Sequence, residues 1–364
     1  MRIFIDIGHP AHVHYFRNFI RLMQEKGHEF FVSARERSII HYLLKHYRIP
    51  FYNRGKGRNG ILGKLLYMLV ADFRLLNQAG KFNPDIFLSF ASPYTAQVSK
   101  ILGKPHIVLD DTEHASFGHM FYKPFSKIFL NPWCFRKNFG PKQIRFNSFT
   151  ELFYLHSNYY TPDEGIKNIL GIKPEEKYVL LRFVSWEANH DLGHSGLDLK
   201  ARIELVKLFI EKGYKIFISS ESNKTDPVFE PYLIKIAPER MHDVLKFCEL
   251  FVSESGTMAS EAAILATPVF YVNSLPLMGY LEEQQKAGML FHFTSSENVL
   301  EKANEILSQP GFKEGFNSHC IKMLEDKINT TEFLIWFVES YPHSVTTIKE
   351  NPDYQNRFIQ KRES

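Results

Sequence analysis

Short apolar runs alternate along this chain with longer stretches whose apolar residues recur every three or four positions. The first pattern suits strands buried in a sheet, and the second suits helices that cover it. Their alternation predicts a parallel α/β architecture. Residues 2–7 read as the first strand, and Phe16, Phe19, Ile20 and Met23 then follow helical spacing. Lys26 and Gly27 end that helix with a basic last turn and a residue that tolerates positive φ. Further strands are expected at 29–34, 49–52, 86–89 and 107–109, and helices at 39–47, 61–79 and 94–102. Between them, 54–60 (RGKGRNG) reads as a basic, glycine-rich loop.

Pro162, Pro174 and neighbouring turn residues make 158–176 a crossover between domains, and the pattern restarts at 178–183. Strands at 215–219, 250–253, 269–272 and 290–293 then alternate with helices at 200–212, 239–247, 257–265, 296–307 and 316–327. This divides the chain into a first Rossmann-like domain, 1–160, and a second, 177–330. An apolar helix at 331–341 is expected to pack back across the domains, and the polar tail 342–364 to be loosely held.

A length of 364 residues leaves room for two domains, and an apolar share of 44% supplies a core for each. The formal charge of +4 is too small for a general nucleic-acid binder, so no nucleic-acid partner is expected. Cys134, Cys248 and Cys320 form no CxxC pair, which disfavours a zinc site or a disulfide framework and fits a reducing cytoplasm. The opening MRIFIDIGHP lacks the features of a signal peptide. The most apolar helical stretch, 61–76, is interrupted by Gly63, Lys64, Asp72 and Arg74, so no membrane span is expected.

The most informative segment is 250–268, LFVSESGTMASEAAILATP. An apolar strand ends in Ser253-Glu254-Ser255-Gly256, and a helix begins at once. Such a turn aims free backbone N–H groups and the positive end of the helix at the space above the strand, where a diphosphate would fit. Gly256 permits close approach to the main chain, Thr257 adds a hydroxyl, and Glu261 lies one turn deeper on the same face, placed to accept from ribose hydroxyls. The competing reading is a simple helix cap by Ser255 or Thr257. A capping box does not explain Glu261, because Met258 occupies the position three residues before it. No GxGxxG or GKS/GKT pattern is present, which disfavours a dinucleotide site or a P-loop.

SESGTMASEAAILATPVFYV resembles the donor-binding segment of the GT-B superfamily, in the version shared by non-hydrolysing UDP-N-acetylglucosamine 2-epimerases and the peptidoglycan N-acetylglucosaminyltransferase. With IDIGHPAHVHYFRNFI and NPDIFLSFASPYTAQVSKILGKPHIVLDDTEHA, it makes the chain similar to a family of predicted GT-B-like glycosyltransferases catalogued as a domain of unknown function. The resemblance spans roughly residues 1–340. It implies a GT-B fold, two Rossmann-like domains with parallel sheets facing an interdomain cleft, and a nucleotide sugar as substrate rather than a separate cofactor.

Four further segments fall where this resemblance puts functional loops. The loop after the first strand carries His9, His12 and His14; His9 or His12 is a candidate general base, against a metal site or ordinary loop hydrogen bonding. Asp111 and Glu113, past the strand at 107–109, are candidate acid/base groups, against a solvated acidic turn. Arg182, Trp186 and His190 follow the first strand of the second domain, where Arg182 would neutralise a leaving diphosphate and Trp186 would stack on a base or sugar. Glu282 and Glu283 stand where GT-B enzymes bind donor-sugar hydroxyls, against a solvated helix start. The segment 54–70 joins basic residues to Leu65, Leu66 and Leu69, a pattern for peripheral membrane contact with a lipid-linked acceptor, or for a core-packed helix behind a basic loop. The expected activity is metal-independent glycosyl transfer from a nucleotide sugar, UDP-linked by resemblance, to a glycan or lipid-linked acceptor. The alternatives are a 2-epimerase acting on the same donor and a non-catalytic sugar-nucleotide binder.

Overall fold

The computed structural model describes residues 1–58, 60–184, 196–220 and 226–360, apart from the side chain of Ile61. The chain divides into two compact units, one of 1–159 together with 326–364 and one of 160–325.

The first unit alternates β1 (Arg2–Ile7), α1 (Pro10–Glu25), β2 (Glu29–Arg35), α2 (Ser38–His46), β3 (Tyr52–Gly55), α3 (Ile61–Phe82), β4 (Ile86–Phe90), α4 (Pro93–Ile101), β5 (His106–Leu109), α5 (Ser116–Tyr122), β6 (Ile128–Pro132), β7 (Gln143–Phe146) and α6 (Leu152–Leu155). All seven strands are parallel, in the order β3-β2-β1-β4-β5-β6-β7. Ile3, Phe4, Ile5 and Ile7 of β1 are fully buried, as a central strand covered on both faces requires. The order reverses between β1 and β4, so the loops after these strands diverge and leave a crevice at their carboxyl ends.

The second unit contains α7 (Ile166–Ile169), β8 (Tyr178–Phe183), α8 (Leu199–Glu211), β9 (Lys215–Ser220), α9 (Met241–Phe247), β10 (Phe251–Ser253), α10 (Gly256–Ile264), β11 (Val269–Val272), α11 (Gly279–Lys286), β12 (Leu290–Phe293), α12 (Val299–Leu307) and α13 (Phe312–Leu324). Its parallel sheet runs β12-β11-β10-β8-β9, and its reversal falls between β8 and β10. Its core joins Val179, Leu181, Val252 and Phe270 of the sheet to Leu205 and Phe209 of α8.

Two expectations are corrected here. The segment 342–360 is not loosely held: α14 (Thr330–Glu339) is followed by α15 (His343–Glu350) and a 3₁₀ turn, Pro352–Phe358. Trp336 stacks near Tyr354 (4.8 Å) and Phe358 (5.6 Å), Ile348 is buried, and Gln355 Oε1 accepts from the Asn147 N–H at 2.7 Å. A few aromatic anchors suffice to seat an otherwise polar segment. The expected basic loop also starts later, because Arg54 and Gly55 belong to β3 and Arg54 is only 2% exposed. Arg54 Nε donates to Asp6 Oδ1 at 2.9 Å, so this cation is spent inside the fold.

Candidate functional site

In the second unit, β10 delivers the chain to the start of α10 at the reversal point of the sheet. Ser255 is the N-cap residue, but its side chain makes no capping hydrogen bond. Its N–H is instead taken by Ser253 Oγ at 3.0 Å, and Ser253 Oγ donates to the Ser255 carbonyl at 3.1 Å. Among the described residues, no acceptor meets the backbone N–H groups of Gly256, Thr257 and Met258. These three half-buried residues form the open end of a nine-residue helix. Gly256 is closely packed: a Cβ there would lie 3.1 Å from Met278 Cε and 3.3 Å from the Tyr280 hydroxyl.

Glu261 lies one turn deeper, 6% exposed, with Oε1 at 3.1 Å from His242 Nε2 of α9. This carboxylate, expected on the face of Thr257, is largely covered and has a histidine partner. Arg182 pairs with Ser253 in the strand register, and its Nη1 donates to Ser219 Oγ at 2.6 Å. Trp186 and His190 lie outside the described residues. Glu282 and Glu283 are half-exposed on α11 and pair with Lys286 at 3.1 and 2.9 Å, the pattern of a solvated helix start. Their neighbour Gln284 is fully buried and donates to Ser260 Oγ at 2.7 Å, tying α11 to α10.

Glu254 is the residue the sequence reading passed over. It is 2% exposed, its Oε2 accepts from the Val184 N–H at 2.9 Å, and its Oε1 accepts from the Leu197 N–H at 2.9 Å and from Arg202 Nη2 at 2.7 Å. One carboxylate on β10's exit loop therefore fixes both the exit of β8 and the entry to α8. Gly196 is part of this clamp, because a Cβ there would come within 2.6 Å of the carboxylate. Nothing in the pattern SESG marks its glutamate as an internal clamp.

In the first unit, the reversal point is braced by Asp6, which is fully buried. It accepts from Ser33 Oγ (2.6 Å), Arg54 Nε (2.9 Å) and Ser92 Oγ (2.7 Å), tying β2, β3 and the loop after β4 to β1. Directly after β1, His9 caps α1, with Nδ1 accepting from the Ala11 N–H at 3.2 Å. His12 Nδ1 accepts from the Gly8 N–H at 3.3 Å. The Nδ1 atom of each ring is thus engaged by a backbone N–H of the same loop. Burial, then the neighbouring His9 and Arg54, hold the His12 pKa well below its usual value. His14 is buried against Tyr154. Among the described residues, no three His, Cys, Asp or Glu side chains converge as metal ligands.

The acidic turn after β5 separates into distinct roles. Asp110 is internal: its carboxylate accepts from the Tyr122 hydroxyl and lies 3.0 Å from His119 Nε2. Glu113 Oε1 accepts from the Arg136 N–H at 3.1 Å, anchoring the loop after β6. Asp111, 7% exposed, accepts from Thr112 Oγ1 at 3.0 Å and Thr150 Oγ1 at 2.6 Å. Burial outweighs these two bonds and pushes its carboxyl up to about 7.

Two parallel sheets, each with a reversal of strand order, define a protein of the GT-B fold. The chain belongs to the family described as "Protein of unknown function (DUF354)", whose model matches residues 1–328. It is 25% identical over 323 residues to uncharacterized protein MJ0665 of Methanocaldococcus jannaschii, a match that covers 84% of this chain and 92% of that one. Among solved structures, it is similar to the UDP-GlcNAc 2-epimerase of Neisseria meningitidis bound to UDP-GlcNAc, at TM-score 0.66, 14% identity, and 97% and 99% of the two chains. It is also similar to MurG of Acinetobacter baumannii, at TM-score 0.57, 13% identity, and 93% and 99% coverage.

Proposed function

We propose that this chain is a glycosyltransferase that takes a sugar from a nucleotide-sugar donor, UDP-linked, and passes it to a glycan or lipid-linked acceptor without a metal ion. The observation that carries the reading is the start of α10. Three backbone N–H groups stand without acceptors among the described residues, at the sheet's reversal point and just past Ser253, which is in strand register with Arg182. Helix N-termini bind diphosphates with such groups, and a leaving diphosphate is where charge develops during glycosyl transfer. Glu261 would accept from a ribose hydroxyl while His242 holds its other side in place. Nucleotide-bound relatives of the fold support a UDP group.

Asp111 is the proton acceptor in this reading, because a carboxyl near neutrality just past the end of β5 suits base catalysis and the Nδ1 atoms of His9 and His12 are already engaged. In the step proposed, the acceptor hydroxyl gives its proton to Asp111 and its oxygen attacks the anomeric carbon. The bond from that carbon to the diphosphate breaks, and the electron pair leaves on the diphosphate. The exposed apolar residues of α3 would rest on a membrane that holds the acceptor.

The raised Asp111 pKa also suits abstraction of a proton from carbon, which keeps the epimerase as a second reading. Incubation with UDP-N-acetylglucosamine alone separates the two. A transferase leaves the donor largely intact until an acceptor is added; accumulation of the 2-epimer or a free glycal without acceptor rejects it. A thermal-shift screen identifies the base and sugar first, since ligand at about 100 times its Kd adds about 2.7 kcal/mol to the folded state.

A further inference from the structure

A recess of about 210 Å³ opens on the first unit between α3, α4 and α5. Its walls are apolar: Leu65 and Met68 of α3, Pro93 and Tyr94 of α4, and Phe117 and Phe121 of α5. Its rim carries three cations, Arg35 at the end of β2, Arg58 of the following loop and Lys64 of α3. Among the described residues, none of these three side chains makes an ion pair or a hydrogen bond. The arrangement is built into the loop. A Cβ at Gly57 would lie 2.7 Å from Arg35 Nη2, so this guanidinium lies close across the chain at the mouth.

The apolar surface continues outside the recess. Leu62, Leu66, Leu69 and Phe73 recur at helical spacing on α3, with Leu62 77% and Phe73 74% exposed, and Met120 of α5 is 67% exposed. Basic residues elsewhere on a soluble surface commonly find acidic partners; here three unpartnered cations ring an apolar hole. The complement of that pattern is one hydrocarbon chain ending in a phosphate.

We infer that this recess binds a lipid phosphate, with the hydrocarbon between α3 and α5 and the phosphate held by Arg35, Arg58 and Lys64. The inference rests on the transferase reading and names its acceptor class: a membrane lipid whose phosphate or diphosphate carries, or receives, the sugar. The recess admits the first part of one chain, and the remainder lies along the α3 face in the bilayer.

The test is a titration of the full chain with farnesyl phosphate, lysophosphatidate, farnesol and inorganic phosphate, below the micellar concentration of each amphiphile. Saturable binding of a phosphate-bearing amphiphile is expected, at least about tenfold tighter than farnesol or inorganic phosphate. Preference for the farnesyl or the acyl probe tells which hydrocarbon the recess accepts. Gly118→Leu is the sharpest variant. Gly118 lines the recess, and a Cβ there meets only Ala115 Cβ at 3.9 Å, so a side chain can start from this position. It should abolish amphiphile binding with melting unchanged, while R35Q and R58Q weaken the phosphate probes and spare farnesol. Equal binding of all four probes, or amphiphile binding that survives Gly118→Leu, overturns the inference. UDP titrated in parallel separates the two readings: UDP binding without amphiphile binding sinks only the lipid-phosphate assignment, and loss of UDP binding sinks the transferase reading.

Discussion

Asp111 should make the protein less stable as pH rises, and removing its charge should reverse the effect. Its carboxyl stands near 7 in the folded chain because it is buried, against an ordinary 3.8 when exposed. Below pH ~4 both folded and unfolded chains hold the proton, and the group is neutral with respect to stability. Between ~4 and ~7 the unfolded chain ionises while the folded one does not, so stability falls. Above ~7 both are ionised and the penalty levels off, at a total of roughly 4 kcal/mol for a difference of about three pKa units. Asp111→Asn lacks this term and retains an oxygen to accept from Thr112 or Thr150. The variant should therefore gain stability over the parent by roughly 2–3 kcal/mol between pH ~5 and ~8, while losing activity. Urea unfolding of both proteins across that range gives the difference directly, with contributions from all other groups cancelling. A difference that is flat with pH, or one that shrinks towards pH ~8, refutes the burial argument.

The acid limb of the rate profile should lie near 7, set by Asp111, rather than in the ordinary carboxylate range; a limb near ~4 would remove Asp111 from the proton-accepting role. The His12 ring should show no titration by NMR around neutral pH, because burial keeps it neutral. Asp6→Ala strands the buried Arg54 and should cost about 3–5 kcal/mol in urea unfolding, far more than a surface substitution. Glu254→Gln keeps the shape but weakens the clamp, costing about 1.5–3 kcal/mol, and hydrogen exchange should quicken first at the Val184 and Leu197 amides.

The sheets were legible because buried parallel strands leave near-continuous apolar runs, such as IFLSF and YVLLRF, between helical patterns. The turn before α10 was legible for the same reason: small polar residues between an apolar strand and an apolar helix admit little else. Side-chain partners were not. His242 lies nineteen residues from Glu261, and Arg54 lies forty-eight from Asp6. Only the folded sheet brings such pairs together, so RGKGRNG looked uniformly basic and solvated when its first cation is internal. The segment after α14 misled in the opposite sense, since its polar composition hid Ile348, Tyr354 and Phe358, the three apolar contacts that seat it.

The most direct test of the account is to follow backbone amide resonances while UDP is added to the full-length chain. A diphosphate held by the start of α10 shifts the Gly256, Thr257 and Met258 amides saturably and together, and Glu261→Gln weakens the response by about tenfold. UDP that fails to bind, or that binds while those three amides stay still, contradicts it.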